Sequence, residues 1–198
     1  MKINDKCKTY GMPFLLTSVV IILDQITKAY IVTNWPRVGT VIKDVFDNDF
    51  LLIFHVRNKA IAFSVGDNVP DQYRVFLFVL IPIAVLIFLV AYYFKSTEFN
   101  QLQRWAVAGI IGGGVGNIID RIFREEGVVD FISVKFYGLF GLERWPTFNL
   151  ADASVVACCF ILFVSMLIPQ KTELTIEDLK PEDLKTNELK IHEEPLSE

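Results

Sequence analysis

From Val75 to Phe94 the chain runs for twenty residues that are all apolar apart from Pro82. Coiled as an α-helix at about 1.5 Å per residue, such a stretch covers about 30 Å, the thickness of the hydrocarbon core of a bilayer. A helix that is greasy all round must be surrounded by apolar material, so this run constrains the fold more than any other. The proline is tolerable there because neighbouring helices satisfy the carbonyl it frees. Three further runs, at about 12–32, 105–123 and 148–168, have similar length and character. A composition 53% hydrophobic, with mean hydropathy +0.42 over 198 residues, fits one membrane domain and not an ordinary soluble one.

The predicted architecture is therefore an all-α bundle of four transmembrane helices over residues 1–168, with both ends on one side of the membrane. A charged tail, 169–198, follows Ile168 and repeats Glu-Asp-Leu-Lys at 177–180 and 182–185. Lys2, Lys6 and Lys8 ahead of Phe14–Leu23 imitate a cleavable signal, but the apolar run continues past Asp24 and Lys28 without a small-x-small site, so a retained helix is expected. Between the first two spans, 33–74 changes character. Trp35-Pro36, Gly39 and Asp47-Asn48-Asp49 punctuate short runs, Thr40–Ile42 and Phe50–Val56, that read as strands of a small extramembrane sheet. The third span concentrates Gly109, Gly112, Gly113, Gly114 and Gly116; spacings of four let another backbone approach closely. No strand precedes these glycines and no Lys-Ser/Thr follows, so they are not a nucleotide loop. A net charge of −4 with scattered Lys and Arg argues against a nucleic-acid partner.

The polar residues at the edges of these runs need a reason, because burying them unpaired costs several kcal/mol. Asp24 and Lys28 stand four apart on one helix face and neutralise each other, whether for packing or for a site. Elimination narrows the chemistry. The two histidines are His55, in the sheet region, and His192, in the tail; the cysteines, 7, 158 and 159, show neither CxxC nor Cys/His metal spacing. No metal or cofactor is expected. Aspartates remain. Two carboxylates held close cannot both ionise, so one keeps a proton while the other takes one from water, which suffices to hydrolyse a peptide without metal or covalent nucleophile. Asp120, beside Arg121, reads as an ionised structural group. Asp130 lies in the extended run Val128–Phe136 and Asp152 in the first turn of the fourth span. Both fall at one membrane surface, and 131–148 is long enough to join them.

Five stretches then resemble one family in order and spacing: Asp24-Gln25-Ile26-Thr27-Lys28, Asn58 to Phe63, Gly116-Asn117-Ile118-Ile119-Asp120-Arg121, Val128-Val129-Asp130-Phe131-Ile132, and Phe148-Asn149-Leu150-Ala151-Asp152. Together they are similar to the bacterial lipoprotein signal peptidases, the signal peptidase II family. That resemblance implies a multi-pass aspartyl endopeptidase of the inner membrane; a monomer is expected. It would cut signal peptides from diacylglyceryl-modified prolipoproteins just before the lipidated Cys and be blocked by globomycin. It makes Asp130 and Asp152 the catalytic pair and Asn58, Asn117, Arg121 and Asn149 the groups that position substrate and pair, with Asp24, Lys28 and Asp120 in support. It also puts both termini in the cytoplasm and the sheet on the outer face as a cradle. This chain departs from the pattern at Ala60, where Gly is common, and at Ala153, where Ser is common, Ser154 coming one place later. The alternatives are a small transporter or channel subunit with charges along an ion path, a structural subunit, and a presenilin-like protease. The last is disfavoured because Asn117, not Asp, follows Gly114-Val115-Gly116.

Overall fold

The computed structural model describes residues 7–59 and 69–168. Ala60–Phe63, the first six residues and the tail 169–198 lie outside the described residues. The chain divides into a unit Met1–Ser165 and a unit Met166–Glu198, the second described only at 166–168.

After a π-helical turn, Cys7–Gly11, helix α1 spans Phe14–Asn34. It stops where Pro36 forces Trp35 out of the helical region, to φ −134° and ψ 69°. Strands β1 (Thr40–Asp44) and β2 (Leu51–Asn58) form an antiparallel hairpin. Asp71–Val75, a π-helical turn Phe76–Leu80 and α2 (Ile81–Lys95) follow one another directly. Pro82 sits just past the π turn, whose wider ring accommodates the missing N–H donor without ending the helix. Helix α3 is Gln101–Phe123, β3 is Val128–Val134, and α4 is Leu150–Leu167. The described residues hold four helical spans long and apolar enough to cross a membrane: Thr9–Asn34, Gln72–Lys95, Gln101–Phe123 and Leu150–Leu167.

Two boundaries differ from hydropathy for physical reasons. Helix α3 begins at Gln101, inside what reads as a polar loop, because Asn100 and Gln103 form a capping box: Gln103 N donates to Asn100 Oδ1 at 2.9 Å and Asn100 N to Gln103 Oε1 at 3.0 Å. The sheet gains β3, drawn from beyond α3, in the order β1-β2-β3, all antiparallel.

Helix α3 is the axis of the bundle. Twelve of its residues are buried, whereas α2 buries only Tyr93 and turns residues such as Ile87 and Phe88 outward, as a lipid-facing helix does. The glycines give α3 that place. Gly112 meets Thr17 and Val20 of α1, Gly113 meets Ala151 and Val155 of α4, and Gly114 meets Leu86 of α2, so successive glycines admit three different neighbours. Cys158 packs against Gly109, which accounts for its burial inside α4. Beneath the sheet, Ile31 of α1 joins Val129 and Phe131 of β3 in a second apolar cluster, fixing β3 over the end of α1.

Candidate active site

Asp130 is the third residue of β3. The β2–β3 register sets Val56 opposite it and Asn58 opposite Val128, which makes Asn58 its diagonal neighbour. Asn58 Nδ2 donates to Asp130 Oδ2 at 3.0 Å. On the other side of β3, Phe131 N and Ile132 N both donate to Phe148 O, at 3.0 and 2.8 Å, and Phe148 N donates back to Ile132 O at 3.0 Å. This bridge holds the approach to α4 against the strand. The next residue, Asn149, then reaches Asp130, its Nδ2 donating to Oδ1 at 2.7 Å.

Asn149 also starts α4. Its Oδ1 accepts from Asp152 N at 2.9 Å, and Asp152 Oδ2 accepts from Asn149 N at 3.3 Å, a capping box with Asp in the third position. A carboxylate there is favoured by the helix dipole. One asparagine thus touches both carboxyl groups and sets their separation. Asn117 of α3 completes the set, donating Nδ2 to Asp152 Oδ1 at 2.7 Å. Its Oδ1 accepts from Lys28 Nζ at 2.9 Å and Asn149 Nδ2 at 3.1 Å. An ammonium can only donate, so Lys28 dictates which way the Asn117 amide faces and turns its NH2 toward Asp152.

Deeper lies an ion network. Lys28 Nζ is 2.8 Å from Asp24 Oδ2 and 3.1 Å from Asp120 Oδ2, with all three side chains fully buried. Asp24 Oδ1 caps α4 by accepting from Ala151 N at 3.0 Å, and Asp120 Oδ2 accepts from Val129 N at 3.0 Å, so the network fastens both elements that carry Asp130 and Asp152. Gln25 Nε2 bridges Asp24, Asp120 and the Gly116 carbonyl. Asp120 pairs with Arg124 at 3.0 Å as well as with Lys28; four residues on is the same helix face, whereas its sequence neighbour Arg121 points elsewhere.

Asp130 is 2% exposed, and burial first, then the nearby Asp152 charge, push its carboxyl up to about 7. The Asn58 and Asn149 amides pull the other way without cancelling that rise. Both aspartates line a cavity of about 950 Å³ between the helices, walled mainly by apolar side chains such as Leu86, Leu89, Ile110, Val155 and Phe160. Arg121 lines the same cavity, and its charge is felt at Asp152 and Asp130.

The structure therefore brings Asn58, Asn117, Asp130, Asn149 and Asp152 into one bonded chain, sets Asp24, Lys28 and Asp120 beneath it, and puts Arg121 on the cavity wall. His55 stands apart, its Nδ1 bonded to Trp35 O at 2.7 Å, where it ties β2 to the end of α1. Ser154 donates Oγ to Gly109 O at 3.1 Å, so its bond is to α3 and not to Asp152. Gln25 is the site-supporting residue that sequence reasoning passed over. Its signal was a third polar side chain beside Asp24 in an apolar run.

Two carboxyl groups beside one apolar cavity among spanning helices make an arrangement that can carry acid–base chemistry. Solved structures described as a bacterial membrane enzyme share the fold: one at 2.3 Å resolution has TM-score 0.66 and 28% identity, covering 86% of this chain and 95% of that chain. The chain belongs to the signal peptidase II family, whose sequence model matches residues 16–168. That makes it a protease. Relatives described as lipoprotein signal peptidase include one from Treponema denticola, 45% identical over 175 residues, spanning 88% of this chain and 99% of the relative. Another from Treponema pallidum is 41% identical, spanning 86% of this chain and 91% of the relative.

Proposed function

We propose that this chain is an aspartyl endopeptidase that removes signal peptides from diacylglyceryl-modified prolipoproteins, cutting just before the lipidated Cys. Asp130 and Asp152 are its catalytic pair. The observation that carries this reading is that both carboxyl groups are bonded to Asn149 while lining one apolar cavity. Acyl chains would occupy the apolar wall, and the scissile bond would lie at the polar end. The pair titrates as a unit. Near neutral pH it holds one proton, mostly on the buried Asp130. Asp152 takes a proton from water, the hydroxide adds to the scissile carbonyl carbon, and Asp130 donates to the carbonyl oxygen. Collapse of the intermediate breaks the C–N bond, with the proton from Asp152 passing to the leaving amine. Asn58, Asn117, Arg121 and Asn149 position the pair and the substrate backbone; Asp24, Lys28 and Asp120 hold the scaffold.

Family membership sets aside the transporter or channel reading. On the family's plan the chain is a monomer of the bacterial inner membrane, with both termini, including 169–198, in the cytoplasm and the sheet outside. Cysteine substitutions in the sheet and in the tail, probed with an impermeant thiol reagent, test that orientation. The activity is tested on a diacylglyceryl-modified signal peptide with and without globomycin. Asp130→Asn and Asp152→Asn should each lower the rate by about a thousandfold or more in a folded protein. Full cleavage by either variant would remove the dyad assignment.

A further inference from the structure

A second cavity, of about 260 Å³, lies beside the first and shares Asn58 and Arg121 with it. Among the described residues its wall carries four cationic side chains, Lys59, Arg74, Arg121 and Arg124, against one acid, Glu125. Arg124 is partly neutralised through its Nε by the buried Asp120, and Arg74 Nη1 donates to the Lys59 carbonyl at 3.3 Å. Even so, positive charge dominates. The reactive cavity has the opposite character, with two carboxyl groups in an apolar wall, so the neighbours are built for different ligands.

Position says which. The cations stand where two spans end: Arg121 and Arg124 at the close of α3, Arg74 in the turn that leads into α2. Beside them in the chain, Val75, Phe76, Ile122 and Phe123 are exposed apolar side chains. Phe78 and Val79 line the cavity itself. Cations at a span's end, with exposed apolar side chains beside them, match a lipid whose charged head lies among guanidinium groups and whose tails run down the helices. We propose that this cavity binds the phosphate of an anionic phospholipid in the leaflet beside the sheet. Through Arg121, a lipid held there borders the reactive cavity without entering it.

The test is lipid retention, which does not depend on cleavage. The full chain is reconstituted in vesicles of phosphatidylcholine mixed with phosphatidylglycerol, extracted gently, and weighed with its bound lipid by native mass spectrometry. The wild type should retain phosphatidylglycerol in preference to phosphatidylcholine, and Lys59→Gln with Arg74→Gln should bind it about tenfold more weakly. Lys59→Gln alone should give a smaller loss in the same direction. That variant keeps the backbone carbonyl that Arg74 uses and alters an exposed side chain, so it separates charge from folding. Displacement by inorganic phosphate in detergent would place recognition on the phosphate; resistance to it would place recognition on head and tails together. Equal retention of both lipids, or retention unchanged in the variants, overturns the proposal. So does an acidic peptide that binds through Lys59 and Arg74 while phosphatidylglycerol does not.

Discussion

The molecule holds two groups of aspartates a short way apart, and they are treated differently. Asp24 and Asp120 share the ammonium of Lys28, with Arg124 added on one side. Asp130 and Asp152 receive hydrogen bonds from neutral amides: Asn58, Asn117 and Asn149. A cation supplies countercharge directly to both carboxylates of the first group. An amide satisfies a lone pair but brings no countercharge, so the buried Asp130, beside Asp152, is held above the ordinary carboxyl range. Their partners alone distinguish a charge-compensated pair from an amide-bonded one.

The sharpest way to break it is to remove the shared cation. Lys28→Met should strand Asp24 and leave Asp120 with Arg124 alone, destabilising the fold by about 3–5 kcal/mol, seen as a large drop in melting temperature in detergent. A variant that stays as stable as the wild type would mean the network is not charge-compensated in the way described.

The reverse is expected at the second pair. The carboxyl of Asp130 titrates near 7 in the fold against 3.8 for an unperturbed Asp. Because the folded value is raised, this group favours folding fully below about pH 3.8, and that contribution is lost as pH rises through about 7. Three units correspond to about 4 kcal/mol as an upper bound. Asp130→Asn should therefore melt higher than the wild type at pH 8, with the difference closing by pH 5. The gain will fall short of the bound, since an amide at 130 offers one oxygen where Asn58 and Asn149 donate to two. Activity should follow the same group: with the wild type, cleavage should decline as pH rises past about 7, when the shared proton is lost. A rate flat from pH 6 to 9 would contradict it.

Packing sharpens the contrast further. A Cβ at Gly113 runs into the Ala151 carbonyl in the first turn of α4. Gly113→Ala should push that turn, and Asp152 with it, away from Asn117, lowering kcat by about tenfold to a hundredfold with little change in lipid-facing surface. The smallest effect belongs to a third group, Asp49 with Lys135 and Arg144 at 3.0 and 3.1 Å on the outer rim of the sheet. Those cations hold its carboxyl below the usual range. Asp49→Asn should alter melting slightly, and less at high salt, because exposed pairs are screened.

Much of this was legible in the residues. Twenty apolar residues in a row leave few structures open in a bilayer, and Asp24 with Lys28 at four-residue spacing pair on any helix. The capping signature of α4, Asn149 followed by Asp152, is also local: both bonds run between residues three apart. Family resemblance carried the other site residues, but not their partners. That Asp120 bonds Lys28 and Arg124, that Gln25 links three groups, and that Ser154 serves α3 all depend on which helix faces arrive together.

By itself the sequence determined what is periodic or adjacent: the four spans and the strand-like runs between the first two of them. Only the tertiary structure decided the meeting of Asp130 and Asp152. One lies on a strand paired with β2 and the other on a helix wedged against the glycines of α3, and the link between them is the Ile132–Phe148 bridge. Neither partner in that bridge advertises it. Backbone hydrogen bonds between segments this far apart depend on register, and register is settled by everything else that packs.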